Sequence, residues 1–160
     1  MTNIISVVGK SGSGKTTLIE KLIPELKKRG YRIGIIKHAH HGFDIDKQGK
    51  DSWRHKEAGA DTVLVASPGK IAMVKNDKYD SLDGLAKYFD DVDLVITEGY
   101  KREDKPKIEV FRTDRHKEPL CSNVNNLIAF VTDSDIDLNV PKFGLEEIEE
   151  LADWLEKRYL

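Results

Sequence analysis

Gly9-Lys10-Ser11-Gly12-Ser13-Gly14-Lys15-Thr16 reads glycine, four residues, then Gly-Lys-Thr, the spacing of a loop that cradles phosphates. Glycines at Gly9, Gly12 and Gly14 let the backbone turn tightly, so that the N–H groups of Ser11, Ser13 and their neighbours face an anion. The helix that must follow adds its N-terminal dipole through Thr16 and Thr17. Lys15 is placed to reach β- and γ-phosphates, and the Thr16 hydroxyl to ligate Mg²⁺. The flanks agree, with an apolar, β-branched run over residues 4–8 and then Leu18, Ile19, Leu22 and Leu26 at helical spacing. The pattern predicts binding of a nucleoside triphosphate.

A second strand ends in a carboxylate. In Asp93-Leu94-Val95-Ile96-Thr97-Glu98-Gly99, Asp93 stands at the entering end and Glu98 at the exit, where it can meet Mg²⁺ directly or through water, or position a water. The segment from Lys37 to Lys47 carries His38, His40, His41, Asp44 and Asp46. Imidazoles suit zinc or nickel, whereas the aspartates suit a phosphate and Mg²⁺ site; with no cysteine among them the second assignment is favoured, Asp46 ahead of Asp44. Gly49-Lys50-Asp51-Ser52 then opens a helix, either as a second anion site or simply as a cap. Lys101, Arg102, Lys105 and Lys107 form a basic run after Glu98, suited to an anionic ligand. Thr132-Asp133-Ser134-Asp135 follows another apolar run. A carboxylate at Asp133 or Asp135 could accept both N1–H and N2–H₂ of guanine, which adenine does not offer, and so select GTP.

The elements that must position these groups alternate between the two periods. Strands are expected at residues 3–8, 32–37, 62–66, 71–75, 94–97, 108–111 and 127–132, with a tight turn at Pro68-Gly69 joining the third and fourth as a hairpin. Helices are expected at 15–29, kinked at Pro24 and stopped by Gly30, and at 48–58, 81–89 and 145–158. The last of these carries Leu145, Ile148, Leu151, Leu155 and Tyr159 on one stripe; residues 113–126 are expected to be loop. Strand alternating with helix predicts an α/β fold, a mainly parallel sheet of the P-loop NTPase type with helices on both faces, plus a β-hairpin. Ligands in such sheets gather beyond the carboxyl ends of the strands, here the phosphate loop and residues 38–50, 67–70, 98–107 and 132–139.

The 160 residues fit one nucleotide-binding domain spanning 1–160. A net charge of −2 argues against general affinity for nucleic acid or membranes. No charged leader precedes an apolar stretch and no apolar run is long enough to span a bilayer. The single cysteine, Cys121, excludes an intrachain disulfide and is expected to be a free thiol without special role. A cytoplasmic protein is the expectation.

Taken together these motifs resemble the MobB family, the adapter proteins of molybdopterin-guanine dinucleotide biosynthesis. The resemblance covers nearly the whole chain. It rests on residues 9–17, on Lys37-His38 through Phe43-Asp44 and Asp46, and on Gly49-Lys50-Asp51-Ser52. It extends to Ala58-Gly59-Ala60 and to Glu98-Gly99-Tyr100-Lys101 followed by Pro106-Lys107-Ile108-Glu109. The resemblance implies a homodimer that binds GTP with Mg²⁺, hydrolyses it weakly, and assists a separate molybdopterin guanylyltransferase that joins GMP to molybdopterin. It places phosphates on Gly12 through Thr17, the metal at Thr16 and Glu98, and His38, His41, Asp44, Asp46 and Lys50 near the nucleotide or the pterin phosphate. Lys10 stands where related dimeric P-loop ATPases and GTPases carry a lysine that crosses to the partner's nucleotide; it is either such a group in trans or a surface lysine. The exposed side of residues 71–74 is a candidate two-fold interface. Two further activities compete with the adapter: a small-molecule kinase, for which no arginine-rich lid segment is visible, and a metal-insertion GTPase using His38, His40 and His41.

Overall fold

The computed structural model describes residues 3–39, 41–77, 81–120 and 126–160; His40 and Cys121 therefore lie outside the described residues. The chain folds as two compact units, residues 1–38 with 81–160, and residues 39–80.

The first unit is built on a six-stranded sheet. In chain order its strands are β1 (Asn3–Val8), β2 (Ile33–Lys37), β5 (Leu94–Glu98), β6 (Lys107–Phe111), β7 (Leu127–Thr132) and β8 (Lys142–Phe143). They lie in the spatial order β2-β5-β1-β6-β7-β8 and every pairing is parallel. Its helices are α1 (Lys15–Lys28), α3 (Leu82–Ala86) and α4 (Ile148–Tyr159). The period of two sorts the strands onto both faces. Ile5, Val7, Ile96, Val110 and Val131 pack under Leu18, Leu22 and Leu26 of α1 and Leu151 and Leu155 of α4. On the reverse face Ile4, Ile36 and Val95 pack with Leu82, Leu85 and Phe89. The expected parallel sheet with helices on both faces is therefore present, with the separate hairpin described below.

Helix ends differ from expectation for local reasons. Glu147 folds its carboxylate back to accept the Gly144 N–H at 2.7 Å, so α4 begins at Ile148 while Leu145 packs on the core ahead of it. Ser81 caps α3, its hydroxyl accepting from the Gly84 N–H at 3.2 Å; the regular helix ends at Ala86 and Tyr88 and Phe89 continue in tighter turns. Strand β8, two residues long, is too short to leave a periodic signal in sequence. The helical pattern of α1 continues through Pro24, which sits on its exposed side. Arg29 then ties α1 to α4: its guanidinium bonds Glu25 at 3.1 Å, Asp153 at 2.6 Å and Glu156 at 3.0 Å. These carboxylates outweigh desolvation and hold its pKa above the ordinary value.

The second unit contains α2 (Asp51–Glu57) and the antiparallel hairpin of β3 (Thr62–Ser67) and β4 (Lys70–Lys75). The turn at residues 67–70 consequently closes a hairpin and is not one of the carboxyl ends of the parallel sheet, correcting the sequence expectation. The helix expected from 48 starts at Asp51 because Lys50 is extended (φ −71°, ψ 158°). Leu64, Val65, Ile71 and Met73 of the hairpin are exposed, Ile71 to 70%. No helix among the described residues is long and apolar enough to cross a membrane.

Candidate functional site

The carboxyl edge of the first unit brings together the loop after β1, Glu98 at the end of β5 and the turn after β6. Strand β1 leads into residues 9–14, and Gly14 (φ 100°) is the N-cap of α1. A Cβ on Gly9 would stand 2.5 Å from the Val110 carbonyl oxygen and 2.5 Å from Ser13 Oγ. Only glycine lets the loop pass that close to β6. The Leu18 N–H bonds the Gly14 carbonyl at 2.9 Å, and the Ser13 N–H the Lys10 carbonyl at 3.2 Å. Lys15 curls over the loop, its ammonium donating to the carbonyls of Gly9 and Lys10, each at 3.0 Å. Burial lowers its pKa, Glu98 opposes that shift, and Lys37 adds to it.

Glu98 is fixed by the sheet register, opposite Val7 of β1 on one side and Lys37 of β2 on the other. Beyond it the Gly99 N–H bonds the Val7 carbonyl at 3.0 Å and the His38 N–H bonds the Glu98 carbonyl at 3.1 Å. The Thr16 hydroxyl donates to Glu98 Oε1 at 3.0 Å, and the Lys37 ammonium lies 3.9 Å from the same oxygen. A hydroxyl and a carboxylate, two hard oxygen donors in contact beside the loop lysine, fit a Mg²⁺ site. Tyr100 follows with φ 59° and its ring stacks on His38, centroids 4.4 Å apart at 18°. A non-glycine residue in the left-handed region costs of order 1–3 kcal/mol and is tolerated where the surroundings fix it; here the stacked His38 and Gly99 (φ 103°) hold the turn that presents Glu98.

The basic run after Glu98 is smaller than its sequence implies. Lys107 is buried, and its ammonium donates to the carbonyls of Glu103 at 2.6 Å and Lys105 at 3.1 Å. Lys105 pairs with Asp83 at 2.7 Å. Lys101 and Arg102 remain exposed. The anion-binding expectation is therefore corrected at Lys107, whose charge closes its own loop.

On the other side of the phosphate loop the turn after β6 supplies Arg112, for which the sequence carries no motif, and residues of the expected loop 113–126. Arg112 Nη2 bonds Asp114 at 3.0 Å, and the Thr113 N–H donates to Asp133 Oδ1 at 2.9 Å. That bond holds the Asp133 carboxyl below its ordinary pKa. One of its oxygens is thus occupied in tying β6 to β7, while Asp135 is exposed beyond it. The same turn straps onto the phosphate loop. Lys10 donates to the Glu118 carbonyl at 2.9 Å, and His116 Nε2 to the Ser11 carbonyl at 2.9 Å. The buried Glu109 accepts the Leu120 N–H from below. The signal available in sequence was position alone, since Arg112 is the first residue past a strand adjoining β1.

The remaining predicted residues belong to the second unit. Asp44 and Asp46 line a cleft of about 380 Å³ with Trp53 and Lys56, and Asp46 Oδ1 accepts the Lys47 N–H at 2.8 Å. Lys50 lines another of about 640 Å³ with His55, Val63 and Val65. His41 is exposed. Among the described residues no three His, Cys, Asp or Glu side chains are grouped to hold a metal ion.

Comparison with known proteins finds relatives and solved structures that resemble this chain over most of its length. A family model described as MobB, molybdopterin guanine dinucleotide synthesis protein B, matches residues 4–133. A Haemophilus influenzae protein named molybdopterin-guanine dinucleotide biosynthesis adapter protein is 43% identical over 156 residues, 96% of this chain and 87% of that protein. The Escherichia coli protein of the same name is 37% identical over 168 residues, covering 99% and 96%. Among solved structures, a MobB protein homolog from Bacillus stearothermophilus aligns with a TM-score of 0.75 at 27% identity, covering 99% of this chain and 98% of that one. Bacillus subtilis MobB aligns with a TM-score of 0.79 at 25% identity, with coverage of 99% and 98%.

Proposed function

The chain belongs to the molybdopterin guanine dinucleotide synthesis protein B family, and on that premise we propose that it is a cytoplasmic adapter that binds GTP with Mg²⁺ and assists attachment of GMP to molybdopterin by a separate guanylyltransferase. The observation that carries the nucleotide site is the 3.0 Å bond between Thr16 and Glu98 beside Lys15. Backbone N–H groups of Gly12 and of residues 14–17 would bind the phosphates, and Lys15 would exchange its two carbonyl partners for phosphate oxygens, which offset its desolvation more fully. Thr16 and Glu98 would hold Mg²⁺, which supplies charge neutralisation across the phosphates.

Hydrolysis in such a site is slow because positioning alone is in place. A charged group supplied in trans is worth roughly 10³–10⁵ in rate in phosphoryl transfer. The exposed ammonium of Lys10, held on the Glu118 carbonyl, is the group this chain offers to a second copy. The hairpin supplies the second copy's surface. A two-stranded ribbon is marginal alone, and its exposed Leu64, Ile71 and Met73 fit a homodimer with apolar burial. Partners with the guanylyltransferase and with other molybdenum cofactor assembly proteins follow from the adapter role.

Reconstitution tests this role. GMP attachment to molybdopterin by the purified guanylyltransferase is measured with and without this chain, and with its Lys15→Ala variant. Stimulation by the native chain and its loss in the variant are expected; equal stimulation by both would remove the nucleotide from the adapter mechanism.

A further inference from the structure

The turn after β6 and the phosphate loop carry two buried polar atoms that no other group satisfies. Arg112 Nε and Ser13 Oγ are both buried without a hydrogen-bond partner. Leaving a buried donor unpaired costs about 1–3 kcal/mol, more for a charged group, and such groups call for an explanation in the molecule's function. The two are neighbours. Arg112 and Ser13 line one cavity of about 150 Å³ together with Gly14, Thr17, Lys21 and Glu146. The Arg112 stem passes close to the start of α1, its Cδ 3.6 Å from the position of a Cβ on Gly14.

The guanidinium is also aimed by its surroundings. Asp114 takes its Nη2 at 3.0 Å, and Asp133 fixes the intervening Thr113 backbone at 2.9 Å. With Nη2 held by Asp114 and the following backbone held by Asp133, the buried Nε is left without a partner where Arg112 lines the cavity, on the β6 side of the phosphate loop. Lys21 and Glu146, bonded at 2.6 Å, join α1 to the approach of α4 beside the same cavity.

From this geometry we infer that Arg112 is a nucleotide-binding residue whose Nε edge donates to an oxygen acceptor of the bound nucleotide, on the sugar side of the triphosphate. The inference rests on the nucleotide reading above. It assigns the phosphate loop two flanks: Thr16 and Glu98 on the β5 side for the metal-bound phosphates, and Arg112 on the β6 side for the nucleotide's other end. The acceptor chemistry is shared by an α-phosphate oxygen and a ribose hydroxyl, and the ligands below separate them. Asp114 and Asp133 are positioning residues for Arg112.

Titration calorimetry on the full chain tests this with GTP, 2′,3′-dideoxy-GTP and inorganic tripolyphosphate, each with Mg²⁺, for the native chain, Arg112→Ala and Arg112→Lys. Arg112→Lys keeps the stem against Gly14 and guards against a folding artefact. The expected result is GTP binding roughly ten- to hundred-fold weaker in both variants, the range of a charge-assisted hydrogen bond lost. If the acceptor is the ribose, dideoxy-GTP binds native and variant chains alike; if it is the α-phosphate, dideoxy-GTP shows the full loss. Tripolyphosphate, lacking sugar and base, is expected to bind all three chains within two-fold if the acceptor is the ribose, and to share the loss in both variants if it is the phosphate in the α position. GTP binding by both variants within two-fold of native would overturn the role of Arg112 while leaving the nucleotide reading intact. No binding of GTP by the native chain would instead remove that reading and this inference together.

Discussion

The Thr16 hydroxyl meets the Glu98 carboxylate at 3.0 Å across 82 residues of sequence. The contact joins the first turn of α1 to the exit of β5, so the loop and its acid are set by one parallel pairing, Val7 opposite Glu98. In Glu98→Gln a neutral amide replaces the carboxylate at the same register. The Mg²⁺-dependent part of GTP affinity is expected to fall by about ten-fold or more, since a charged ligand to a hard cation is lost, while binding in EDTA changes little. Calorimetry in both buffers checks this; equal Mg²⁺ dependence in native and variant chains would clear Glu98 of any metal role.

Lys15 carries a pH signature. Burial holds its pKa below 10.5 in the free chain, and phosphate oxygens favour the charged form and raise it. Between the free and bound values, binding takes up a proton, so affinity declines as pH rises through that alkaline window. Calorimetry in buffers of different ionisation enthalpy should show proton uptake below pH 10.5 that vanishes in Lys15→Arg, whose charge does not titrate there.

The strap over the phosphate loop is held by Lys10 on Glu118, His116 on Ser11 and Glu109 on Leu120. In Lys10→Ala and His116→Ala, amide exchange of residues 113–120 is expected to quicken while that of β1 and β5 does not. If Lys10 also serves a partner in trans, Lys10→Ala lowers GTP hydrolysis only at concentrations where the chain is dimeric. Hydrolysis unchanged under those conditions would confine Lys10 to the strap.

Gly9 leaves no room for a side chain, with two oxygens 2.5 Å from a Cβ. Gly9→Ala must push the loop from β6, at a cost of roughly 1–3 kcal/mol, and should weaken tripolyphosphate binding together with stability. Arg29→Ala separates the two quantities. Removing the clamp from Glu25, Asp153 and Glu156 should lower unfolding free energy by about 1.5–3 kcal/mol, the worth of a hydrogen bond to a charged group, with GTP affinity unchanged. Denaturant titration beside calorimetry decides both.

The strand run ahead of Gly9, the glycine spacing and the continuous apolar run Leu94 to Ile96 made the parallel sheet and the position of Glu98 legible in sequence, because both depend on local pattern and on the carboxyl-edge rule. The legible part ends where long-range pairing decides. Nothing local marks Lys107 as buried; its charge is absorbed by the carbonyls of Glu103 and Lys105 only after the loop closes. One oxygen of Asp133 is taken by the Thr113 N–H, a bond that requires β6 and β7 to be neighbours. Arg112 was invisible for the same reason, since its stem meets Gly14 only once β6 lies against β1. Helix starts shifted where single side-chain bonds hold the preceding turn, as the Glu147 carboxylate holds the Gly144 N–H ahead of α4.

One calorimetric comparison of GTP with ATP, with and without Mg²⁺, on native and Lys15→Ala chains decides whether this chain selects guanine and needs Mg²⁺ to bind it. The expected result is GTP binding strengthened by Mg²⁺, at least ten-fold tighter than ATP, and abolished in Lys15→Ala. Equal affinity for ATP, or binding that survives the loss of Lys15, would contradict it.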